Sequence, residues 1–172
     1  MNQDCRYIVG DVLDVLGDLP DDSVDLVLTS PPFLALRSYL PADHPHKALE
    51  GGSQATPGEF IDWLLDVTEA LARVLAPHGT LAVELGDTYS GSSAQGSDQK
   101  GSERYPSGRG MTDLEVVKSG DAWPQAKSLT LVPETYRFAL AYGLNPHTGR
   151  TTDPWRIRNV IRWVRPNPPV GA

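Results

Sequence analysis

The chain has 172 residues, enough for one ordinary domain with a sizeable core, and its 40% hydrophobic and 22% charged content is that of a soluble globular protein. No apolar run approaches the roughly 18 residues of a membrane helix and nothing resembles a signal peptide, so a cytoplasmic setting with no membrane partner is expected. A single cysteine, Cys5, excludes a disulfide frame and a thiol metal cluster, and the net charge of −7 argues mildly against a dedicated nucleic-acid-binding module.

The first element predicted is a short apolar strand, Tyr7-Ile8-Val9, broken by Gly10-Asp11. Val12, Val15, Leu16 and Leu19 then recur at helical spacing up to Pro20. Val24 to Leu28 reads as a continuous apolar strand, the pattern of a parallel sheet covered on both faces. It stops on Ser30-Pro31-Pro32-Phe33, and residues 34 to 55 lack periodicity and are expected to be loop.

Thr56 begins the clearest helix, with Pro57 at its first position and Glu59 completing a capping box. Phe60, Leu64, Val67, Leu71 and Val74 form its apolar stripe, and Pro77 with Gly79 should end it. "GTLAVEL" is the next buried strand, followed by Gly86-Asp87. Residues 90 to 127 are rich in Gly and Ser and too polar to fold alone, so they are expected to form a flexible insert in a single partial domain spanning 1–172.

A helix is expected from about Pro133. In "WRIRNVIRWVRPN", Trp155, Ile157, Ile161 and Trp163 alternate with Arg156, Arg158 and Arg162, the pattern of a half-buried strand with a basic open side. Arg165 extends this basic cluster. The alternation of strands and helices indicates α/β with a largely parallel sheet, whose ligands sit beyond the carboxyl ends of the strands. Gly10-Asp11, Ser30 to Phe33 and Gly86-Asp87 would line that edge.

Two consecutive prolines fix two φ angles and remove two backbone donors. The carbonyls of Ser30 and Pro31, the Ser30 hydroxyl and the flat face of Phe33 would together suit a planar group bearing an NH2, such as a nucleobase amine. A plain strand-ending turn with Phe33 packed in the core fits the same residues.

"TSPPF" after "DDSVDLVL", preceded by "GDVLDVLGDLP", resembles the DNA amino-methyltransferases, which carry a [DNS]-P-P-[YFW] motif. "LALRSY", "LAPHGTLAVELGDTYSG", "KSLTLVPETYRFAL" and "WRIRNVIRWVRPNP" extend the likeness over nearly the whole chain apart from the Ser/Gly-rich insert. The resemblance implies a Rossmann-like sheet, incomplete in this chain, double-stranded DNA as partner, S-adenosylmethionine as methyl donor and no metal. The four histidines have no ligand-like spacing. Ser30, Pro31, Pro32 and Phe33 become the expected catalytic motif acting on a flipped base. A motif with Ser first is typical of cytosine N4 methylation, and adenine N6 is the alternative.

The resemblance puts Asp11 near the cofactor or the base pocket, and a turn aspartate is the bland alternative. Asp87 stands at the same even odds; Glu84 and Lys127 are weaker. Arg37, Arg156, Arg158 and Arg162 are expected DNA contacts, or a solvated outer face. Homologues would continue beyond "RPNPPVGA" with a recognition region and a glycine-rich cofactor loop; "SGRGMTD" has no strand before it. The expectation is an N-terminal portion: a truncated gene, an expression fragment or half of a split enzyme, in need of a second chain and binding S-adenosylmethionine weakly or not at all. A non-catalytic subunit that binds DNA or a partner is the alternative of another class. Methylation of a protein amide, usually with Asn first in the motif, fits less well.

Overall fold

In the computed structural model, which describes residues 5–91 and 117–164, the longest helix starts where its sequence predicts. Thr56 accepts a hydrogen bond from the Glu59 N–H at 3.2 Å, and Pro57 opens the first turn. This helix, α2 (Pro57–Val74), follows α1 (Val12–Gly17), β1 (Val24–Thr29) and a single 3-10 turn, and it leads into β2 (Leu75–Val83) and α3 (Val132–Tyr142). Strands β1 and β2 are parallel, so the described residues form a mixed α/β unit with a small parallel sheet.

Pro77 does not end α2. The helix stops at Val74 and the chain enters β2 directly, Leu75 pairing with Val24. The register then shifts, and pairing resumes with Thr80 opposite Leu26 and runs to Val83 opposite Thr29. Between these pairs β2 runs through Ala76 to Gly79 against Asp25 alone in β1, and Pro77, which has no N–H for the ladder, falls in this irregular stretch. The Glu84 N–H extends the ladder to the Thr29 carbonyl at 2.9 Å.

The core lies on one side of the sheet. Leu16, Leu71 and Val74 pack around Val24 and Val27, while Phe60, Ile61, Leu64 and Leu65 of α2 pack against Val132, Tyr136 and Leu140 of α3. Buried deeply between these helices, the Thr68 and Tyr136 hydroxyls share a 2.5 Å hydrogen bond. The opposite face is open: Leu26 is 61% and Leu28 78% exposed, so the expected sheet covered on both faces is not formed within these residues.

Two expected strands are also absent among the described residues. Tyr7 to Val9 and the described part of the Trp155 segment, residues 155–164, lie outside any ladder, and Tyr7, Ile161 and Trp163 are almost fully exposed. A strand needs a neighbour for its backbone groups, and none of the described residues offers one. Only Trp155 of the alternating segment packs on the core.

The expected insert begins at 90, and its residues 92–116 lie outside the described residues, as do Arg165 and the "SGRGMTD" glycines. Residues 117–127 are tied to the body. Trp123 is buried in the core and its Nε1 donates to the Ala55 carbonyl at 3.1 Å.

Candidate functional site

Strand β1 delivers Ser30 to the carboxyl edge of the sheet. Ser30 is exposed, and among the described residues neither its hydroxyl nor the carbonyls of Ser30 and Pro31 accept or make a hydrogen bond. The proline rings at 31 and 32 fix two φ angles and remove two N–H donors, so the backbone here presents acceptors with no donor beside them. The next residue after the motif, Leu34, is 2% exposed and plugs into the main core. Burying a leucine stabilises by about 2 kcal/mol, which anchors the turn from its C-terminal side.

Phe33 is half-buried and its ring lies on the backbone of Gly86. A Cβ on Gly86 would come 2.6 Å from Phe33 Cε2, so only glycine fits beneath the ring. From the other side Gly52, at φ +85°, backs onto the motif; a Cβ there would meet the Phe33 carbonyl oxygen at 2.8 Å and Pro32 Cβ at 3.2 Å. Two of the three expected turns, Ser30–Phe33 and Gly86-Asp87, therefore meet. Gly10-Asp11 has no hydrogen bond or ion pair to either among the described residues.

Asp87 is used as a helix cap. Its carboxylate accepts from the N–H groups of Thr88, Leu131 and Val132 and from the Thr130 hydroxyl, gathering the donors at the start of α3. Leu131 there adopts a left-handed φ of 58°. Asp11 caps α1, its Oδ1 accepting from the Leu13 N–H at 2.9 Å, and it stays exposed with the second oxygen unused among the described residues. Of the two acids expected at a methyl-donor pocket, Asp11 alone keeps a free oxygen; the four donors on Asp87 fit a structural role.

Lys118 lies beside this edge and carries no signal in the sequence. It is 8% exposed, and its Nζ donates to the Thr88 hydroxyl at 2.8 Å; burial pulls its ammonium below the ordinary 10.5. Gly52 is equally silent there, being the second glycine of a loop Gly-Gly pair, and Gly86 is visible only as a turn residue. Arg37, Arg156, Arg158 and Arg162 are all exposed and form no ion pair among the described residues. Glu84 and Lys127 are exposed, Lys127 at a left-handed φ of 71°. No group of three or more metal-ligating side chains occurs among the described residues, and no helix there is long and apolar enough to cross a membrane.

The chain is related to the type II methyltransferases over almost its whole length. Type II methyltransferase M.SfiI of Streptomyces fimbriatus is 31% identical over 95% of this chain and 31% of its own length. M.SmaI of Serratia marcescens is 28% identical over 95% of this chain and 48% of its own. Among solved structures, the PvuII DNA methyltransferase (cytosine-N4-specific) is 30% identical over 47% of this chain and 25% of that one, with a TM-score of 0.34. No protein-family model matches. The chain thus spans about a third to a half of the length of these two curated relatives.

Proposed function

We propose that this chain is the part of a site-specific DNA methyltransferase that holds the target base, within a Rossmann-like fold, and that the methyl group goes from S-adenosylmethionine to the exocyclic amine of a base flipped out of the duplex. The observation that carries this reading is the set of unused acceptors at Ser30 and Pro31 beside the seated ring of Phe33. The relatedness to type II methyltransferases supports it.

The residues would act through hydrogen bonding and stacking. An exocyclic amine is planar because its lone pair is delocalised into the base. With one N–H donated to the Ser30 hydroxyl oxygen and the other to the Pro31 carbonyl, the nitrogen is drawn toward tetrahedral geometry and its lone pair becomes available. Phe33 stacks on the base and fixes its plane, with Gly86 fixing the ring in turn. The bound donor supplies an electrophilic methyl group on a sulfonium. As the N–C bond forms the sulfonium S–C bond breaks, and one of the hydrogens held by the Ser30 hydroxyl and the Pro31 carbonyl then leaves as a proton to water. Orientation and fixed acceptors carry such a reaction, without a covalent enzyme intermediate or a metal.

Ser at the first motif position favours cytosine N4 over adenine N6. Arg37 and the arginines at 156, 158 and 162 are proposed contacts to the DNA backbone, being exposed and unpaired among the described residues. Asp11 is a proposed contact to the donor, residues from about 90 to 127 a proposed insert, and the cytoplasm the proposed compartment.

A second reading, a non-catalytic subunit needing a partner chain, draws support from the open face at Leu26 and Leu28 and the exposed Ile161 and Trp163. One assay separates the two: methyl transfer to duplex DNA by this chain alone, then with the remaining part of a relative supplied as a second polypeptide. Transfer in either arm supports the enzyme, and DNA binding without transfer in both supports the subunit.

A further inference from the structure

The loop on the C-terminal side of the motif is closed at its base, where the Ala35 N–H donates to the Gly52 carbonyl at 2.7 Å. Inside that loop lies a buried carboxylate, Glu50, at 7% exposure. Its Oε1 accepts from the backbone N–H groups of Tyr39 at 2.5 Å and Leu40 at 2.9 Å. Its Oε2 accepts from Lys47 Nζ at 2.6 Å, with the Ser38 and Ser53 hydroxyls at 3.4 and 3.3 Å. Burial alone pushes the Glu50 carboxyl up, yet the Lys47 ammonium and the two N–H groups outweigh it and hold it below 4.5. A buried carboxylate with this many donors is a fixed point in a segment whose one regular element is the 3-10 turn Lys47–Leu49 that Glu50 closes.

The two glycines next in the chain carry that fixed point to the motif. Gly51 presses on Trp63 of α2, where a Cβ would come 2.4 Å from the indole. Gly52 presses on Pro32 and the Phe33 carbonyl. The clamp therefore sets a Gly-Gly pair between α2 and the back of the proline motif. The prolines fix the shape of that motif, whereas its seat depends on what stands behind it.

We propose that Glu50 is a positioning residue, which holds Gly52 against the motif and so fixes where the Ser30 and Pro31 acceptors stand. The inference rests on the reading of Ser30 to Phe33 as the base site. Its test is made on the full chain with Glu50→Gln, which keeps the length and one acceptor but ends the ion pair with Lys47, and with Glu50→Leu, which removes both. The first readout needs no catalysis: amide hydrogen exchange at Ala35, relative to the buried amides of α2. Glu50→Leu should lower Ala35 protection about ten-fold or more while α2 keeps its own, with Glu50→Gln deciding if the leucine variant does not fold. Unchanged Ala35 protection, or a fall in step with α2, would overturn the proposal.

The second readout is methyl transfer by folded Glu50→Gln. A displaced motif should lower kcat about ten-fold or more and leave KM for DNA unchanged, while a purely structural role would leave kcat per folded molecule intact and so contradict the proposal. A wild-type chain that transfers no methyl group, alone or complemented, sinks the functional reading by itself, and hydrogen exchange still decides whether Glu50 seats the motif.

Discussion

The ring of Phe33 rests on the backbone of Gly86, so that the turn after β1 and the turn after β2 share one contact. That contact makes Gly86 part of the proposed base site although it bears no side chain. Gly86→Ala puts a methyl group within 2.6 Å of the ring and forces Phe33 to move. Overpacking of this kind costs about 1–3 kcal/mol. We expect a lower melting temperature and methyl transfer reduced by at least about ten-fold; a transfer rate equal to wild type would mean that the seat of Phe33 is irrelevant to the reaction.

Ser30 is exposed, and its hydroxyl supports nothing in the described structure. Ser30→Ala should therefore unfold at the wild-type denaturant midpoint, within about 0.5 kcal/mol, as surface substitutions do. Its methyl transfer should fall sharply, by an amount on the order of 100-fold for a lost transition-state acceptor. An unchanged rate would remove Ser30 from the mechanism.

Asp87 carries the opposite expectation. Its carboxylate collects three donors at the start of α3 and the N–H of neighbouring Thr88, so Asp87→Asn should cost about 1–2 kcal/mol of stability, read by urea unfolding. Stability equal to wild type together with weakened S-adenosylmethionine binding would instead assign Asp87 to the donor pocket.

Lys118 gives a pH signature. Burial lowers its folded-state pKa beneath the 10.5 of the unfolded chain, so between those two values the unfolded state binds the extra proton. Stability should therefore rise as pH climbs through that window toward 10.5. Lys118→Met should abolish this rise, as measured by urea unfolding at a series of alkaline pH values. A slope that survives the substitution would show that another group titrates.

How far the sequence reaches depends on where each signal acts. Thr56, Pro57 and the stripe from Phe60 to Val74 act within one helix, so α2 is legible to its first residue. α3 is legible for the same reason. Tyr7 to Val9 has the apolar run and the segment from Trp155 the alternation of strands, but neither pattern can supply the neighbour that a ladder requires. Pro77 signals a stop in the sequence but lies in an irregular stretch of β2, which has already begun at Leu75. At the site, the motif from Ser30 to Phe33 stands out by its chemistry. Its supports do not: Gly52 and Gly86 matter through close approach across the fold, Glu50 through donors from Tyr39 and Leu40, and none of these leaves a local pattern.

Whether Ser30 and Pro31 hold an exocyclic base amine for methylation is tested most directly by nucleoside analysis of methylated DNA. Duplex DNA is incubated with S-adenosylmethionine and the wild-type chain, alone and complemented by the remaining part of a relative, with Ser30→Ala in parallel. N4-methylcytosine is expected with the wild-type chain, and its near-absence with Ser30→Ala. No methylated base in either arm, or equal yields from the two proteins, would contradict the proposed role of these residues.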